Sequence, residues 1–370
     1  MTSQTNPFLE LAAPGIDALK PYLPGKPISE LERELGIAHS IKLASNENPL
    51  GVSEKVIQAI ANSTPELSRY PDGGAFQLHQ RLAEKHAVDP ACITLGNGSN
   101  DVLDMVARVF LSPGVESLFS QYAFAVYPIS SQAVGASLVI TPAKAYAHDL
   151  ERMLQMITPR TRVIWIANPN NPTGTWLSRD ALFSFLAQLP SHVMVVLDEA
   201  YIEYVQHSDY PDGSAWLERF PNLIVTRTFS KAYGLASLRI GYGLSNPDVA
   251  DLLNRVRQPF NVNTLAQSAA LAALDDQAFI QRSIALNNKG MQQYRRGFES
   301  MGLDYIPSVA NFITVEVGED ASRVDQALLS EGCITRGIAN YGLPNHLRIS
   351  IGLEEENDRL LTTLKKVLKR

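Results

Sequence analysis

A single lysine stands among small and apolar residues in the stretch TFSKAYGLASLRIGY, which spans residues 228–242. An ammonium group is costly to remove from water, so a partly desolvated lysine loses its proton readily and becomes a nucleophile toward carbonyl carbons. Lys231 is therefore a candidate for Schiff-base chemistry, although a lysine at a helix edge that extends its ammonium group to water would give the same pattern. Arg239, eight residues further on, always keeps its charge and suits a phosphate.

Two loops could supply more of a ligand site around this lysine. LGNGSND (residues 95–101) precedes a helical pattern, and its glycines and the free N–H groups of a helix start would suit a phosphate. A turn in which Ser99 caps the helix explains that loop about as well. NPNNPTG (residues 168–174) places two prolines around adjacent asparagines, which stiffens the backbone and fixes the direction of the amides. A proline-rich turn without a ligand is the alternative.

A carboxylate ends another apolar run, in LDEAY (residues 197–201). Burying the carboxylate of Asp198 alone would be costly, so the side chain must have a partner. A helix cap is one possibility, and the cationic nitrogen of a ring is the one that we favour. Together, the clusters offer a phosphate cradle, a carboxylate for a ring nitrogen, a hydrogen-bonding asparagine and tyrosine, and a nucleophilic lysine. That set predicts a site for pyridoxal phosphate.

The elements that must position these clusters are alternating strands and helices. Helical patterns such as NDVLDMVARVFL and SRDALFSFLAQL alternate with the continuously apolar runs CITLG, RVIWIAN, HVMVVLDEAY, NLIVTRTFSK and RIGYGLS. Such runs are typical of strands that are covered on both faces. In open α/β sheets ligands bind at the carboxyl ends of the strands, which is where the polar clusters stand. The sequence therefore predicts an α/β fold with a mostly parallel central sheet flanked by helices.

The composition and the residue patterns of the sequence change along the chain and predict three parts. Residues 1–50 are rich in proline and glycine and are expected to form an arm that packs on the small domain or on a partner subunit. Residues 51–265 are expected to form the large domain that binds the cofactor. Beyond them, helical patterns and two shorter strand patterns, NFITVEV and HLRISIGL, predict a small α+β domain at residues 266–370, which would read the substrate.

Composition narrows the class of protein. The chain has 370 residues with 45% hydrophobic content and a net charge of −6, which suits a large core and offers no basic surface for nucleic acid or membrane. Cys92 and Cys333 lie far apart and outside any metal-binding pattern, which favours a reducing compartment and no metal site. Neither a signal peptide nor a stretch of membrane-spanning length is found, so a soluble cytoplasmic protein is expected.

The motifs NPNNPTG, DEAY and SKAYGLASLRIGY resemble, in the expected order, those of the fold-type I, aspartate-aminotransferase-like enzymes. LASNENPLG, RYPDGG (residues 69–74) and YGLPNHLRISIG (residues 341–352) are similar to motifs of one family among them, the histidinol-phosphate aminotransferases. The resemblance extends from about residue 22 to the last helix. It implies pyridoxal 5'-phosphate as the cofactor and a homodimer whose subunits share their active sites.

The resemblance also implies a role for each matching residue at the cofactor. Lys231 would form the Schiff base and carry the proton between the substrate Cα and C4′ of the cofactor. Asp198 would pair with the protonated pyridine nitrogen, while Asn171 and Tyr201 would bind the ring hydroxyl. The other expected contacts are the phosphate-binding residues Gly98, Ser99, Asn100, Thr228, Ser230 and Arg239, the stacking ring of Phe124, and Tyr70, which would reach the phosphate bound by the neighbouring subunit. A core phenylalanine and a turn tyrosine are the alternatives for the last two.

Substrate recognition would fall to Tyr22, Arg336 and Arg348. Arg348 matches an arginine that clamps the substrate carboxylate in related enzymes, but histidinol phosphate offers a phosphate ester instead, and such a dianion favours more than one fork-shaped donor. Arg336 lies twelve residues earlier, across a loop, and could converge on it; a surface ion pair is its alternative. Tyr22 would close over the substrate. For the imidazole ring the sequence offers only Glu47 and Asn46.

The implied function is a ping-pong transamination of histidine biosynthesis. It would convert L-histidinol phosphate and 2-oxoglutarate into imidazole-acetol phosphate and L-glutamate. Three rivals stay open: an aromatic-amino-acid transaminase, a threonine-phosphate decarboxylase, which also binds a phosphate ester, and a catalytically silent regulator that binds pyridoxal phosphate. The short, non-basic N-terminus disfavours the regulator, which would carry a DNA-binding segment.

Overall fold

The helices and strands follow one another in the alternation that the apolar runs predict. The structure, a computed structural model, describes residue 6 and residues 8–21, 25–318 and 320–369. The helices are α1 (Ile28–Leu35), α2 (Glu54–Ser63), α3 (Phe76–His86), α4 (Ser99–Phe110), α5 (Val126–Ala133), α6 (Leu150–Gln155), α7 (Arg179–Leu186), α8 (Pro247–Val256), α9 (Thr264–Leu274), α10 (Gln277–Ser300), α11 (Ala321–Ser330) and α12 (Glu354–Leu368). The strands are β1 (Ile41–Lys42), β2 (Ile93–Gly96), β3 (Glu116–Ser120), β4 (Ser137–Thr141), β5 (Thr161–Ala167), β6 (Met194–Asp198), β7 (Leu223–Thr228), β8 (Gly241–Ser245), β9 (Tyr305–Ile306), β10 (Phe312–Glu316), β11 (Cys333–Ile334), β12 (Arg336–Gly337) and β13 (His346–Ser350).

A seven-stranded sheet with the order β2-β8-β7-β6-β5-β3-β4 forms the centre of the molecule. Only β8 runs antiparallel to its neighbours in this sheet. The prediction of a mostly parallel central sheet flanked by helices is confirmed. Two of its strands, β3 and β4, were not predicted. On β3, Glu116, Ser117 and Ser120 are buried in spite of their polarity, whereas on β4 only Thr141 is buried, so neither strand is apolar throughout.

Alternate residues of the central strands pack into two different cores, which is why these strands are apolar throughout. On β5, Ile164 and Ile166 belong to the core on one face, with α2, α3, α7 and α9. Val163 and Trp165 belong to the core on the other face, with α4 and α5. Because successive side chains of a strand point to opposite faces, a sheet covered on both sides needs an apolar residue at every position.

A second sheet, with the order β12-β13-β10-β9, is antiparallel and packs with α10, α11 and α12. The change from one core to the other occurs within α10, whose Phe279 and Ile284 pack in the first core, whereas Tyr294 and Phe298 pack in the second. Strand β1 pairs with β11 and so joins the end of the arm to this half. The domain boundaries expected from the sequence stay a prediction. Across the described ranges, no helix has the length and apolar character needed to cross a membrane.

Candidate active site

A cavity of about 210 Å³ opens at the carboxyl ends of β5, β6 and β7. Residues from all four polar clusters of the sequence line it, together with Arg348 from the second sheet. Parallel strands bring their carboxyl ends to one edge of a sheet, so loops that are far apart in the chain meet there. The cavity therefore brings together the groups whose chemistry the sequence predicts.

Lys231 follows β7 and reaches into this cavity. Its Nζ donates a hydrogen bond to the carbonyl oxygen of Ser45 at 3.1 Å and lies 5.7 Å from the centre of the Tyr201 ring. Burial, followed by repulsion from Arg348 and Arg239, lowers the pKa of Lys231 to about 7, although Glu47 and Asp198 act in the opposite direction. At neutral pH a large fraction of this amine is uncharged and able to attack a carbonyl carbon.

Asp198 ends β6 and is 5% exposed. One carboxylate oxygen accepts a hydrogen bond from the hydroxyl of Tyr127 at 2.8 Å, and the other accepts one from the hydroxyl of Thr226 at 3.1 Å. Burial raises the pKa of Asp198, and these two donors oppose the shift. No salt bridge to Asp198 is found among the described residues. A buried carboxylate held by neutral donors at the wall of a cavity fits a cationic ligand.

A network of amide groups surrounds the hydroxyl of Tyr201. The hydroxyl accepts hydrogen bonds from Nδ2 of Asn46 at 3.0 Å and from Nδ2 of Asn171 at 3.2 Å. Burial raises the pKa of Tyr201 to about 12, against the opposing effects of Arg348 and the Asn46 hydrogen bond. The phenol therefore stays protonated at neutral pH and has its own proton to donate. Asn46, which the sequence offered for the imidazole, lies in this network, whereas Glu47 is exposed and pairs with Lys42.

The turn before α4 fits a phosphate. Gly98 has a φ of +81°, and a methyl group on its Cα would lie 2.4 Å from Nη2 of Arg239, so only glycine lets this backbone and that guanidinium approach each other. The backbone amides of Ser99 and Asn100 begin the helix, where amides lack partners within the helix. An open helix start beside an arginine is an anion-binding arrangement.

Side-chain hydroxyls complete this corner of the cavity. Ser230 accepts a hydrogen bond from Nη1 of Arg239 at 3.4 Å, and Thr228 accepts one from the backbone amide of Ser230 at 3.1 Å. Thr228, Ser230, Ser99 and Asn100 all line the cavity. Of the phosphate ligands expected in this chain, all but Gly98 line the cavity, and Gly98 lies against Arg239.

Phe124 lies on the cavity wall, and its ring is nearly perpendicular to the Tyr127 ring, with 5.8 Å between the centres. Val126, at the start of α5, lines the same wall. An apolar wall of this kind excludes water from part of the cavity and suits a flat aromatic ligand.

Arg348 connects the second sheet to this cavity. Its Nη1 donates to Oδ1 of Asn171 at 2.6 Å and its Nη2 donates to the carbonyl oxygen of Ala44 at 2.7 Å. Arg336 does not line the same cavity. It lines a neighbouring one of about 550 Å³, together with Lys20, Gln121 and Tyr341. The two arginines are nevertheless register partners on β12 and β13.

One further predicted residue lies elsewhere, and another falls outside the described part of the chain. Tyr70 does not line the cavity of its own chain; it is 82% exposed, and its ring stacks on that of Phe260 with 4.6 Å between the centres. Tyr22 lies outside the described residues. In the part of the chain that the structure describes, no group of three or more His, Cys, Asp or Glu side chains could hold a metal ion.

Sequence reasoning missed the two residues that hold Asp198. Thr226 stands two residues before the end of β7 and is the register partner of Asp198, so a correct strand alignment would have found it. Tyr127 lies in YAFAVY, three residues after Phe124, and is surrounded there by apolar residues that give no sign of a polar contact. Its partner is fixed only by the packing of α5 on the sheet.

The chain belongs to a family of transaminases. The sequence model of the family described as "Aminotransferase class I and II" matches residues 38–364. The fold and the lysine, aspartate and arginine of the cavity agree with that class.

Within this family, the chain is similar to proteins of one name. It is 60% identical over 363 residues to histidinol-phosphate aminotransferase 2 of Pseudomonas aeruginosa, an alignment that covers 98% of both chains. It is 59% identical over 365 residues to the protein of the same name from Pseudomonas fluorescens, with 98% and 99% of the two chains covered. The crystal structure of histidinol-phosphate aminotransferase from Sinorhizobium meliloti, in complex with pyridoxal-5'-phosphate, superposes with a TM-score of 0.88 at 30% identity and covers 100% of this chain and 98% of that one.

Proposed function

We propose that the protein is a histidinol-phosphate aminotransferase. It interconverts L-histidinol phosphate plus 2-oxoglutarate with imidazole-acetol phosphate plus L-glutamate, in L-histidine biosynthesis. The relatives of that name are 60% and 59% identical over nearly the whole chain, which is far above the level at which only the fold is shared. The observation that carries the proposal is that Lys231, Asp198 and Arg348, from three separate parts of the sequence, line one cavity.

The cofactor is pyridoxal 5'-phosphate, and the donor set of the cavity suits each part of it. The helix start at Ser99, with Ser230 and Arg239, would hold the phosphate. Asp198 would hold the ring nitrogen, since a carboxylate that is 5% exposed and has only neutral hydrogen-bond donors among the described residues is suited to a cationic partner. The cofactor, when bound, supplies an electron sink for the bond broken at the substrate Cα.

The residues of the chain supply the proton transfers and the orientation. Lys231, with a pKa of about 7, can accept a proton from the substrate and return it near neutral pH. Asn171 and Tyr201 would hold the ring hydroxyl, and Phe124 would cover one face of the ring. Because the hydroxyl of Tyr201 already accepts from two amides, its proton is left for the cofactor.

The arginines of the second sheet would bind the anionic end of either substrate. Arg348 lines the cavity of Lys231, and its guanidinium already carries hydrogen bonds that fix its plane. Arg336 lines the adjoining cavity with Lys20, so the two cavities together offer several cations to a phosphate dianion. Tyr22 is proposed to close over the substrate.

We also propose a homodimer with shared active sites. Tyr70, 82% exposed and stacked on Phe260, forms an aromatic patch of the kind that a partner subunit covers, and its hydroxyl would then reach the phosphate in that subunit. A cytoplasmic location stays a prediction from the sequence.

A substrate panel tests the reaction. The purified protein, loaded with pyridoxal phosphate, should form glutamate from histidinol phosphate and 2-oxoglutarate at a kcat/KM well above that for phenylalanine or tyrosine as amino donor. Turnover of the aromatic amino acids alone would favour the aromatic transaminase. Carbon dioxide released from threonine phosphate, without glutamate, would favour the decarboxylase. No turnover of any donor by cofactor-loaded protein would favour the silent regulator.

A further inference from the structure

Tyr127 on α5 is fully buried and does not line the cavity, yet its hydroxyl donates a 2.8 Å hydrogen bond to Oδ2 of Asp198. Packing alone does not require a tyrosine at this position, because a phenylalanine would fill the same apolar space. The hydroxyl lies in an apolar core, and its side-chain hydrogen bond there is to Asp198, the carboxylate proposed to hold the ring nitrogen.

We propose that Tyr127 is a positioning residue, which keeps the carboxylate of Asp198 ionised and directed at the ring nitrogen of the cofactor. This inference rests on the proposed function, since it assumes that the cavity holds a pyridine ring. Tyr127 itself touches neither cofactor nor substrate and acts through Asp198.

The ring of Tyr127 is held firmly enough to direct a carboxylate. It stacks on Trp165 of β5 with 5.2 Å between ring centres and 11° between planes. The indole of Trp165 is fixed in turn, because its Nε1 donates to the hydroxyl of Ser117 at 2.8 Å, and this hydroxyl also meets that of Ser131 at 2.7 Å. A phenol stacked in this way has no room to swing, so the direction of its hydroxyl is set by the sheet.

The electrostatics of the pair favour an ionised Asp198 and a neutral Tyr127. Burial, followed by the nearby Asp198 charge, raises the pKa of Tyr127 well above its usual value, so the hydroxyl remains a donor throughout the working pH range. The titratable groups that act on this pair are Lys231, which favours the ionised carboxylate, and Tyr201 and Tyr341, which act on the phenol. Hydrogen bonds from neutral donors stabilise a buried carboxylate without cancelling its charge, which leaves the charge for the ring.

Removal of this donor should change the basicity of Asp198 in a known direction. In Tyr127→Phe the carboxylate loses one of its two hydroxyl donors and becomes a stronger base. The proton between Asp198 and the ring nitrogen then moves toward the carboxylate, so the ring carries less positive charge. We expect the dissociation constant of pyridoxal phosphate to rise about tenfold and kcat to fall about tenfold, with KM changed by less than about twofold because the cavity wall is intact.

The experiment follows the cofactor directly as well as the reaction. Pyridoxal phosphate labelled with ¹⁵N in its ring is bound to wild type, Tyr127→Phe and Tyr242→Phe, and its affinity for each apoprotein is measured by titration. Tyr242 on β8 is a matched control, because it is 2% exposed and its hydroxyl has a side-chain partner, Nε2 of His86, at 2.9 Å, but it lies away from the cavity. The ¹⁵N resonance should move toward that of an unprotonated pyridine in Tyr127→Phe and stay in place in Tyr242→Phe.

A second variant tests the proposal even if Tyr127→Phe fails to fold. Replacement of Tyr127 by 3-fluorotyrosine makes the phenol a stronger donor without removing it, and should move the ¹⁵N resonance in the opposite direction. If wild type binds the cofactor and both variants at this position match it in affinity and resonance, the inference is overturned while the proposed function stands. If wild type takes up no cofactor at all, the proposed function itself is wrong.

Discussion

Arg336 and Arg348 lie directly opposite each other on the antiparallel strands β12 and β13, so their side chains leave the same face of the second sheet. Arg348 enters the cavity of Lys231, whereas Arg336 lines the adjoining cavity. Under the proposed function, the two guanidinium groups would serve one elongated anion. The pair would then favour a phosphate ester over a carboxylate, because a dianion can accept from both groups.

Arg336→Ala should raise KM for histidinol phosphate by about tenfold to a hundredfold, because one charge-assisted contact to a dianion is lost. The KM for glutamate should change much less. Arg323→Ala is a suitable control, since the Arg323 side chain is 78% exposed and pairs with Asp320, the N-cap residue of α11. Equal losses for phosphate-bearing and plain amino donors would contradict a phosphate role for Arg336.

Lys231→Ala should lose at least about a thousandfold in turnover, because both the attachment of the cofactor and the proton transfer depend on this amine. In the wild-type apoprotein, the rate of cofactor attachment should rise with pH and level off above about pH 7, since burial lowers the pKa of Lys231 to about 7 and only the neutral amine attacks. Stopped-flow absorbance between pH 5 and pH 9 measures this rate of attachment. A midpoint near that of an ordinary lysine would contradict the desolvated state.

Gly98→Ala should weaken the binding of pyridoxal phosphate by at least about tenfold, because the backbone has a φ of +81° and the new methyl group would lie 2.4 Å from Nη2 of Arg239. Gly114 gives the matched control: its φ is +95°, and a methyl group there would meet nothing within 4 Å. Both variants strain the backbone, but only the first displaces Arg239. Titration of the two apoproteins should separate them, and similar affinities would argue against a phosphate at this turn.

Arg227→Met should lower the free energy of unfolding by about 3–5 kcal/mol, because it leaves a buried charge without its partner. Nη2 of Arg227 contacts Oε2 of Glu199 at 2.7 Å and Oδ1 of Asp212 at 2.5 Å, and Glu199 is fully buried. Arg255→Met, which removes an arginine whose side chain is 70% exposed from its pair with Asp251, 59% exposed, should cost less than about 1 kcal/mol. Urea unfolding of both variants measures the difference, and equal costs would show that burial of the pair is unimportant.

If the proposed subunits share their active sites, Tyr70→Phe should weaken cofactor binding by about tenfold and leave the dimer intact, because it would remove a hydrogen bond to a charged phosphate but keeps the ring that stacks on Phe260. Sedimentation and cofactor titration of the same sample test both parts. Tyr305→Phe, in which the lost hydroxyl bonds Glu299, serves as the control. Unchanged affinity in Tyr70→Phe would place Tyr70 outside the partner's site.

The strands β5, β6 and β7 could be predicted because each is apolar at almost every position, which is what a sheet covered on both faces requires. The strand β3 could not, because its polar residues are satisfied only by distant partners. Ser117 accepts from the indole of Trp165, and Glu116 accepts from Thr158 and Thr161. Burying a polar group with such partners costs little free energy, but the residues near it in the sequence do not indicate which partners it will have.

By itself, the sequence determined which groups would gather at one cavity, since Lys231, Asp198 and Asn171 each stand in a short motif at the end of an apolar run. Local order suffices for this, because the carboxyl ends of parallel strands converge on one edge. Tertiary structure alone decided what holds those groups. The contact of Tyr127 with Asp198, the hydrogen bond from Arg348 to Asn171 and the separation of Arg336 into a second cavity arise between elements far apart in the chain. Their geometry depends on how whole helices and sheets pack, and no local pattern of residues records it.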